Sequence, residues 1–189
     1  QFEELVKEAS VVTMSGSVPK GLDETAYQRL VRIVKDAGKK VILDTSGNLL
    51  KEGICEKPYL VKPNRKELED LMGKKFSDNR KLLKAAMKIK DQGVEIVVVS
   101  LGRYGAVAVT SEGVYTGIAP DIPVVNTVGC GDSVVASYAI SVLRGEDEHT
   151  ALKKATAISA ANAASLESGD ISLELAEELL EKIQVENKQ

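Results

Sequence analysis

Short runs that are apolar on both faces, separated by stretches with helical spacing, constrain this chain more than any other feature. Val41-Ile42-Leu43 and Ile96-Val97-Val98-Val99 show no polar alternation. Strands of that kind have to be covered on both sides, which suits a mostly parallel sheet between two helix layers. Val11-Val12-Thr13-Met14 reads as a further buried strand that runs into a turn at Ser15-Gly16-Ser17, and Tyr59-Leu60-Val61 as another before Lys62-Pro63-Asn64. The four strands are expected to lie side by side. Between them, Ala26, Leu30, Ile33, Val34 and Ala37 share a helix face after a cap at Asp23, and Leu82, Ala85, Ala86 and Ile89 share another after a cap at Ser77. Residues 105–118 look like a hairpin around Ser111-Glu112-Gly113. Everything after Asn126 reads as helical. Val135, Tyr138, Ala139, Val142 and Leu143 are expected inward on one helix, an Ala-rich helix covers about 150–166, and Ser172 opens a last helix with Ala176, Leu179, Leu180 and Ile183 inward. A helix-like stretch at 2–9 precedes the first strand, so the chain reads as starting inside a domain, with a segment expected upstream.

The charge balance narrows the partners. The formal net charge is −3 and no window is strongly basic, so a nucleic-acid ligand is not expected, since phosphate-backbone binding needs a basic stripe. No run approaches the ~20 apolar residues of a membrane span, and the acidic opening Gln1-Phe2-Glu3-Glu4 does not read as an export signal. Cys55 and Cys130 lie far apart and match no metal spacing, which makes a reducing cytoplasm the expected location.

The chemistry-bearing stretch is Asn126-Thr127-Val128-Gly129-Cys130-Gly131-Asp132-Ser133, between the extended pair Val124-Val125 and an amphipathic helix. Two glycines let the backbone turn sharply and bring amides close to a ligand. At a helix N-terminus those amides lack partners and the dipole is positive, which suits a polyanion such as a transferring phosphoryl group. Asp132, in the first turn, can accept a hydroxyl proton as the oxygen attacks phosphorus. Spacing alone leaves a second reading open, a plain Gly-rich loop with an N-capping Asp. A dinucleotide fingerprint is excluded because the third glycine is missing, and a Walker loop because no Lys-Ser/Thr pair follows.

The Gly-x-Gly-Asp that opens a helix after Asn-Thr-Val resembles the C-terminal signature of the ribokinase-like (PfkB-type) carbohydrate kinases, usually Asp-Thr-x-Gly-Ala-Gly-Asp. Here Asn126 stands for the first Asp and Cys130 for the Ala. Ser15-Gly16-Ser17-Val18-Pro19 resembles the segment that reaches the sugar phosphate. Lys62-Pro63-Asn64-Arg65-Lys66-Glu67 resembles the Lys-Pro-Asn element with its Asn-x-x-Glu magnesium–phosphate motif, and Ser100-Leu101-Gly102-Arg103-Tyr104-Gly105 the loop along the nucleotide. Asp44-Thr45-Ser46-Gly47 after a strand is similar to the branch acting on phosphorylated hexoses, the 1-phosphofructokinases and tagatose-6-phosphate kinases, with ribokinase-type and nucleoside kinases as the alternatives.

The resemblance implies a ribokinase-like three-layer αβα fold whose N-terminal part and β-sheet lid are missing, so that residues 1–189 form a single, partial kinase domain. It implies ATP-dependent transfer to a hydroxyl of a sugar phosphate, with ATP and Mg2+ as cofactors and a homodimeric full-length protein. Asp132 becomes the general base, and the amides of Gly129, Cys130 and Gly131 the anion hole. Asn64 and Glu67 act on magnesium, Lys62 meets a phosphate, and Ser100, Gly102 and Gly105 lie along the nucleotide. Asn162 falls beside the adenine and Ile158 packs on it, while Ser15, Gly16 and Ser17 meet the sugar phosphate. Each has a plainer alternative: Asn64 and Glu67 can simply start a helix, Lys62 can be a solvated strand-end lysine, the 100–105 loop a plain turn, and Asn162 the partner of a neighbouring backbone group. Without its upstream part the chain can also be an impaired homologue that binds nucleotide or packs on a partner.

Overall fold

The apolar runs do become parallel strands. The computed structural model describes residues 1–188, and the chain divides into two compact units: Gln1–Val99 with Val109–Ser111, and Ser100–Ala108 with the chain from Glu112 onward.

In the first unit the order is α1 (Phe2–Glu8), β1 (Val11–Ser15), α2 (Ala26–Asp36), β2 (Lys40–Asp44), α3 (Gly47–Cys55), β3 (Leu60–Val61), α4 (Arg65–Leu71), α5 (Asn79–Asp91) and β4 (Ile96–Ser100, whose last residue belongs to the second unit). The strands pair in parallel in sequence order, with Val12 opposite Val41, Leu43 opposite Val61 and Leu60 opposite Ile96. Val41, Ile42, Leu43, Val97, Val98 and Val99 are fully buried, as strands covered on both faces require. Val31 and Val34 of α2, Leu50 and Ile54 of α3, Leu68 of α4, and Leu82 and Ile89 of α5 complete this core. Parallel pairing sends each strand's C-terminal end to the same edge. The Ser15, Asp44 and Lys62 positions therefore share one rim, where open α/β sheets bind ligands.

Two helix starts differ from the expected ones. Asp23 does not cap α2: the N-cap is Thr25, and Asp23 Oδ1 instead accepts bonds from the Thr25 amide (2.9 Å) and hydroxyl (2.6 Å) in a turn just ahead of the helix. Asp78 rather than Ser77 caps α5, accepting from the Lys81 amide, while the Ser77 hydroxyl donates to Asp78. In each case the carboxylate is the stronger acceptor and takes the local amide.

The second unit contains a short 3-10 turn (Gly102–Tyr104), β5 (Ala106–Val109, its last residue in the first unit), β6 (Val114–Ile118), α6 (Cys130–Arg144), α7 (Glu148–Ala164), α8 (Leu173–Lys182) and β7 (Gln184–Lys188). β6 neighbours β5, and β7 pairs antiparallel to β6. The buried face of α6 is Ser133, Val134, Val135, Ser137, Tyr138 and Ser141, whereas Leu143 is 57% exposed, against expectation. Ser133, Ser137 and Ser141 recur every four residues on one stripe. Their small side chains suit the close packing of α6 on the alanine-rich α7. Ala157, Ala160 and Ala161 then form a core with Ala176, Leu179 and Ile183 from the end of the chain. No helix among the described residues is long and apolar enough to cross a membrane.

Candidate active site

In the second unit the Gly-rich stretch forms a tight turn into α6. Gly129 is the N-cap and sits in the left-handed region (φ 81°, ψ −6°). An added Cβ there would displace the Ser168 hydroxyl, but it is the left-handed backbone that selects glycine. No side chain caps this helix. Asp132 lies in the first turn, exposed to solvent and hydrogen-bonded to nothing among the described residues. It is therefore not a capping carboxylate. Ser133 closes the turn instead, its amide and its hydroxyl both donating to the Gly129 carbonyl at 2.8 Å. The amides of Gly129, Gly131 and Asp132 have no acceptor among the described residues, and the Cys130 amide has only a 3.4 Å contact with the Thr127 carbonyl. The turn thus presents a row of amides at the positive end of a 15-residue helix with a free carboxylate beside them.

Two polar residues hold the turn from outside. Asn126 accepts from the Val128 amide (3.0 Å) and donates to the Leu166 carbonyl (3.0 Å), so the residue standing for the family's Asp is spent on local structure. Asn162, with no solvent exposure, donates from Nδ2 to the Val128 carbonyl (2.9 Å) and to Cys130 Sγ (3.3 Å), and accepts from the Gly169 amide (2.9 Å) through Oδ1. In this arrangement its donors and its acceptor are taken up by the turn and by the 165–170 loop. Ile158 is half-buried and packs on the core of α7 and α8. Cys130 points its thiol at the Ser159 carbonyl (3.5 Å). In the expected nucleotide loop, Gly102 (φ 59°) opens the 3-10 turn and Gly105 (φ 93°) closes it, the Leu101 amide donating to the Gly105 carbonyl at 2.8 Å. A Cβ on Gly105 would collide with the Gly117 carbonyl, so the close approach of β6 fixes this glycine. Ser100 is half-buried at the end of β4.

In the first unit a second group gathers at the strand ends. Gly16 (φ 83°) bends the chain after β1, its amide donating to the Asp44 carbonyl (2.9 Å) while its own carbonyl accepts from the Thr45 hydroxyl (2.7 Å). The buried Tyr27 hydroxyl donates to the Ser15 carbonyl (2.9 Å); burial first, and then the Asp44 carboxylate, push its pKa up and keep it a donor. Ser15 and Ser17 remain exposed. Lys62, 5% exposed, pairs with Asp44 at 3.1 Å, so it is neither solvated nor free for an incoming phosphate in this arrangement. The residue pattern named Ser15, Gly16 and Ser17, and took Asp44-Thr45 as a mark of the hexose-phosphate branch, but it missed Tyr27 and the bonds by which Asp44 and Thr45 hold the turn. The available signal was a polar pair, Asp44-Thr45, ending an otherwise apolar strand.

Asn64 and Glu67 form a capping box at α4: the Asn64 side chain accepts from the Glu67 amide (2.9 Å), and Glu67 Oε2 from the Asn64 amide (2.8 Å). Glu67 Oε1 is left without a partner among the described residues. No group of three or more His, Cys, Asp or Glu placed to hold a metal ion occurs among the described residues. One spare carboxylate oxygen suits a magnesium ion that keeps its waters and takes its other ligands from phosphates, and does not suit an all-protein cage.

The pfkB family carbohydrate kinase profile matches residues 1–174. This chain belongs to that family. A tagatose-6-phosphate kinase of Staphylococcus epidermidis is 40% identical over 184 residues, 96% of this chain and 59% of the relative. Among solved structures, the tetrameric inhibited form of Escherichia coli phosphofructokinase-2 superimposes with a TM-score of 0.87 at 28% identity, covering 95% of this chain and 59% of that one. The same enzyme in complex with fructose-6-phosphate gives a TM-score of 0.81 at 27% identity over 95% of this chain and 59% of that one. The pfkB-family chain described here therefore spans about three-fifths of the length of the relatives it matches, and shares their α/β fold across that span.

Proposed function

We propose that the protein transfers the γ-phosphoryl group of ATP to a hydroxyl of a sugar phosphate, in the manner of tagatose-6-phosphate kinases and 1-phosphofructokinases, with Asp132 as general base. The observation that carries the reading is the uncapped turn into α6, where unpartnered amides and an exposed, unbonded carboxylate occur together. In the proposed reaction the sugar hydroxyl oxygen bonds to the γ-phosphorus, the bond from phosphorus to the β–γ bridging oxygen breaks, ADP leaves, and the hydroxyl proton passes to Asp132. The amides of Gly129, Cys130 and Gly131, with that of Asp132 next in the row, stabilise charge on the transferring group. Magnesium, when bound, neutralises charge on the phosphate oxygens. Glu67 Oε1 would meet its water shell, with Asn64 holding Glu67 in place.

The Ser15-Gly16-Ser17 turn is assigned to the phosphate of the sugar, its exposed hydroxyls serving as donors. Ser100, Gly102 and Gly105 are assigned to the nucleotide loop. Ile158 is assigned to the edge of the base through the part of its side chain that the α7–α8 core leaves uncovered. Lys62 acts on phosphate only if it leaves Asp44; as a fixed member of the buried pair it instead supports the rim at the ends of β2 and β3. A symmetric assembly of the whole protein fits the same reading, since the Escherichia coli relative is described as tetrameric in its inhibited form. The test is transfer of label from γ-labelled ATP to tagatose 6-phosphate, fructose 1-phosphate and ribose in turn. Label on one of the sugar phosphates, lost in Asp132→Asn, is the expected result. Binding of sugar phosphate without any binding of ATP would overturn the assignment.

A further inference from the structure

Asn162 grips the turn into α6 and the loop after α7 at once. Its side chain is the only polar group of the inner part of α7 that reaches out of the helix in three directions: to the carbonyl before Gly129, to the sulfur after it, and to the amide of Gly169. Thr156, the other buried polar side chain in the middle of that helix, returns its hydroxyl to the Leu152 carbonyl of its own backbone. Asn162 therefore brackets the left-handed glycine, taking hold of the residue on either side. Ser159, about one turn earlier, adds a second hold, its carbonyl accepting from the Cys130 thiol. A left-handed N-cap with no side-chain cap has little of its own to fix its orientation, so what aims the free amides is whatever grips the turn from outside.

We propose that Asn162 is the positioning residue of this turn: it sets the direction of the Cys130, Gly131 and Asp132 amides and ties that direction to the 165–170 loop through Gly169. The proposal rests on the phosphoryl-binding reading of the turn, but the hold itself is a property of the protein without ligand. The carboxamide is well matched to the task, because one planar group donates toward the turn and accepts from the loop at once. A purely apolar residue at this place would fill the space and release both. An aspartate would keep the bond from Gly169 and turn the donor end into an acceptor facing the Val128 carbonyl.

The experiment compares Asn162→Ala, Asn162→Asp and, as a control for lost stability, Thr156→Ala. Without ligand, nuclear magnetic resonance reads the Gly169 amide and the backbone order of residues 128–132. Asn162→Ala should remove the exchange protection of Gly169 and lower the order of the turn, while Thr156→Ala alters neither. With ligand, kcat at saturating substrate should fall about 10- to 100-fold in Asn162→Ala, up to the lower end of the loss seen when one donor of an anion hole is removed outright, and adenosine affinity should stay within about twofold. Asn162→Asp adds a pH signature: its carboxyl can donate to Val128 only when protonated, so activity should recover as pH falls, which a merely structural role would not produce. Alanine substitution is well tolerated in an alanine-rich helix, and Asn162→Asp keeps the shape, so loss of fold in one variant leaves the other. An unchanged Gly169 amide and an unchanged turn in Asn162→Ala would overturn the proposal even if the wild-type chain binds ATP. A mobile turn in the variant, with no ATP binding by the wild type, would instead uphold the hold and sink the phosphoryl-binding reading.

Discussion

The helix starts at Asn64 and Gly129 solve the same problem in opposite ways. At α4 two of the amides, those of Asn64 and Glu67, are met by the chain's own side chains in a reciprocal box. At α6 the amides are left bare, the N-cap is a left-handed glycine, and the one carboxylate in the first turn bonds to nothing among the described residues. An uncapped start by itself does not set α6 apart, since α2 and α3 also lack a side-chain cap. The difference lies in the outside grip. Asn162 and Asn126 hold the α6 turn by the Val128 carbonyl and amide and the Cys130 sulfur, which leaves the Gly129, Gly131 and Asp132 amides without an acceptor among the described residues. A start closed by side chains stabilises a helix; one held from behind and open in front can take a ligand.

The largest effect expected from breaking this contrast is at Asp132. Asp132→Asn keeps the size of the side chain and cannot accept the hydroxyl proton, so kcat should fall about 10²–10⁴-fold with ATP affinity nearly unchanged, read by steady-state kinetics beside calorimetry. A loss of affinity as large as the loss of rate would make Asp132 a binding group. Gly129→Ala should do the reverse of a chemical knockout. Left-handed backbone costs an L residue about 1–2 kcal/mol, and the new methyl meets the Ser168 hydroxyl. The turn should shift and ATP affinity drop by about tenfold or more, with adenosine affinity retained.

A third helix start supplies a pH test. Asp147 caps α7 by accepting from the Thr150 amide. Next to it Glu148 is buried and accepts from the Tyr138 hydroxyl at 2.5 Å. Burial, opposed by the Tyr138 hydrogen bond and reinforced by Asp147 and Glu112, raises the Glu148 carboxyl from its ordinary value of 4.5 to about 7. A raised carboxyl favours the folded state only while protonated. Stability should therefore be lost as pH rises from about 4.5 through about 7, with a cost on the order of 3 kcal/mol above that range. Glu148→Gln can still accept from Tyr138, so it should remove this slope and be the more stable protein at pH 8 in urea denaturation. A wild-type curve that is flat from pH 5 to 8 would contradict the burial argument. The smallest effect belongs to α4, where Asn64→Ala should lower stability by about 0.5–2 kcal/mol. If the same substitution also weakens ATP binding in the presence of magnesium but not in its absence, the box serves the ion as well as the helix.

Much of this was legible in the sequence because it rests on backbone and burial rules. Val41-Ile42-Leu43 and Ile96-Val97-Val98-Val99 read as strands covered on both faces, and the two glycines before Asp132 read as a turn into a helix. β7 was not legible: Gln184–Lys188 is an edge strand with one partly buried residue, Val185, and what holds it is pairing with β6, which no local pattern announces. α3 escaped as well, because its start at Gly47 looks like a loop until Leu50 and Ile54 are seen to pack. Leu143 faces solvent since the stripe of serines, not the more apolar one, is what fits against the alanines of α7. At the site, residue types identified Asp132 and the glycines. They could not show that Asn162 and Lys62 are occupied, because a hydrogen-bond partner distant in sequence leaves no periodic trace.

The central claim, that the open start of α6 receives phosphate, is tested most directly by following backbone amides while nucleotide is added without magnesium. The Cys130, Gly131 and Asp132 amide signals should move on addition of ATP and stay in place on addition of adenosine, while the Asn64 and Glu67 amides of the closed start at α4 do not move. Saturating ATP that leaves the Cys130, Gly131 and Asp132 signals where they were, or adenosine that moves them equally, would contradict it.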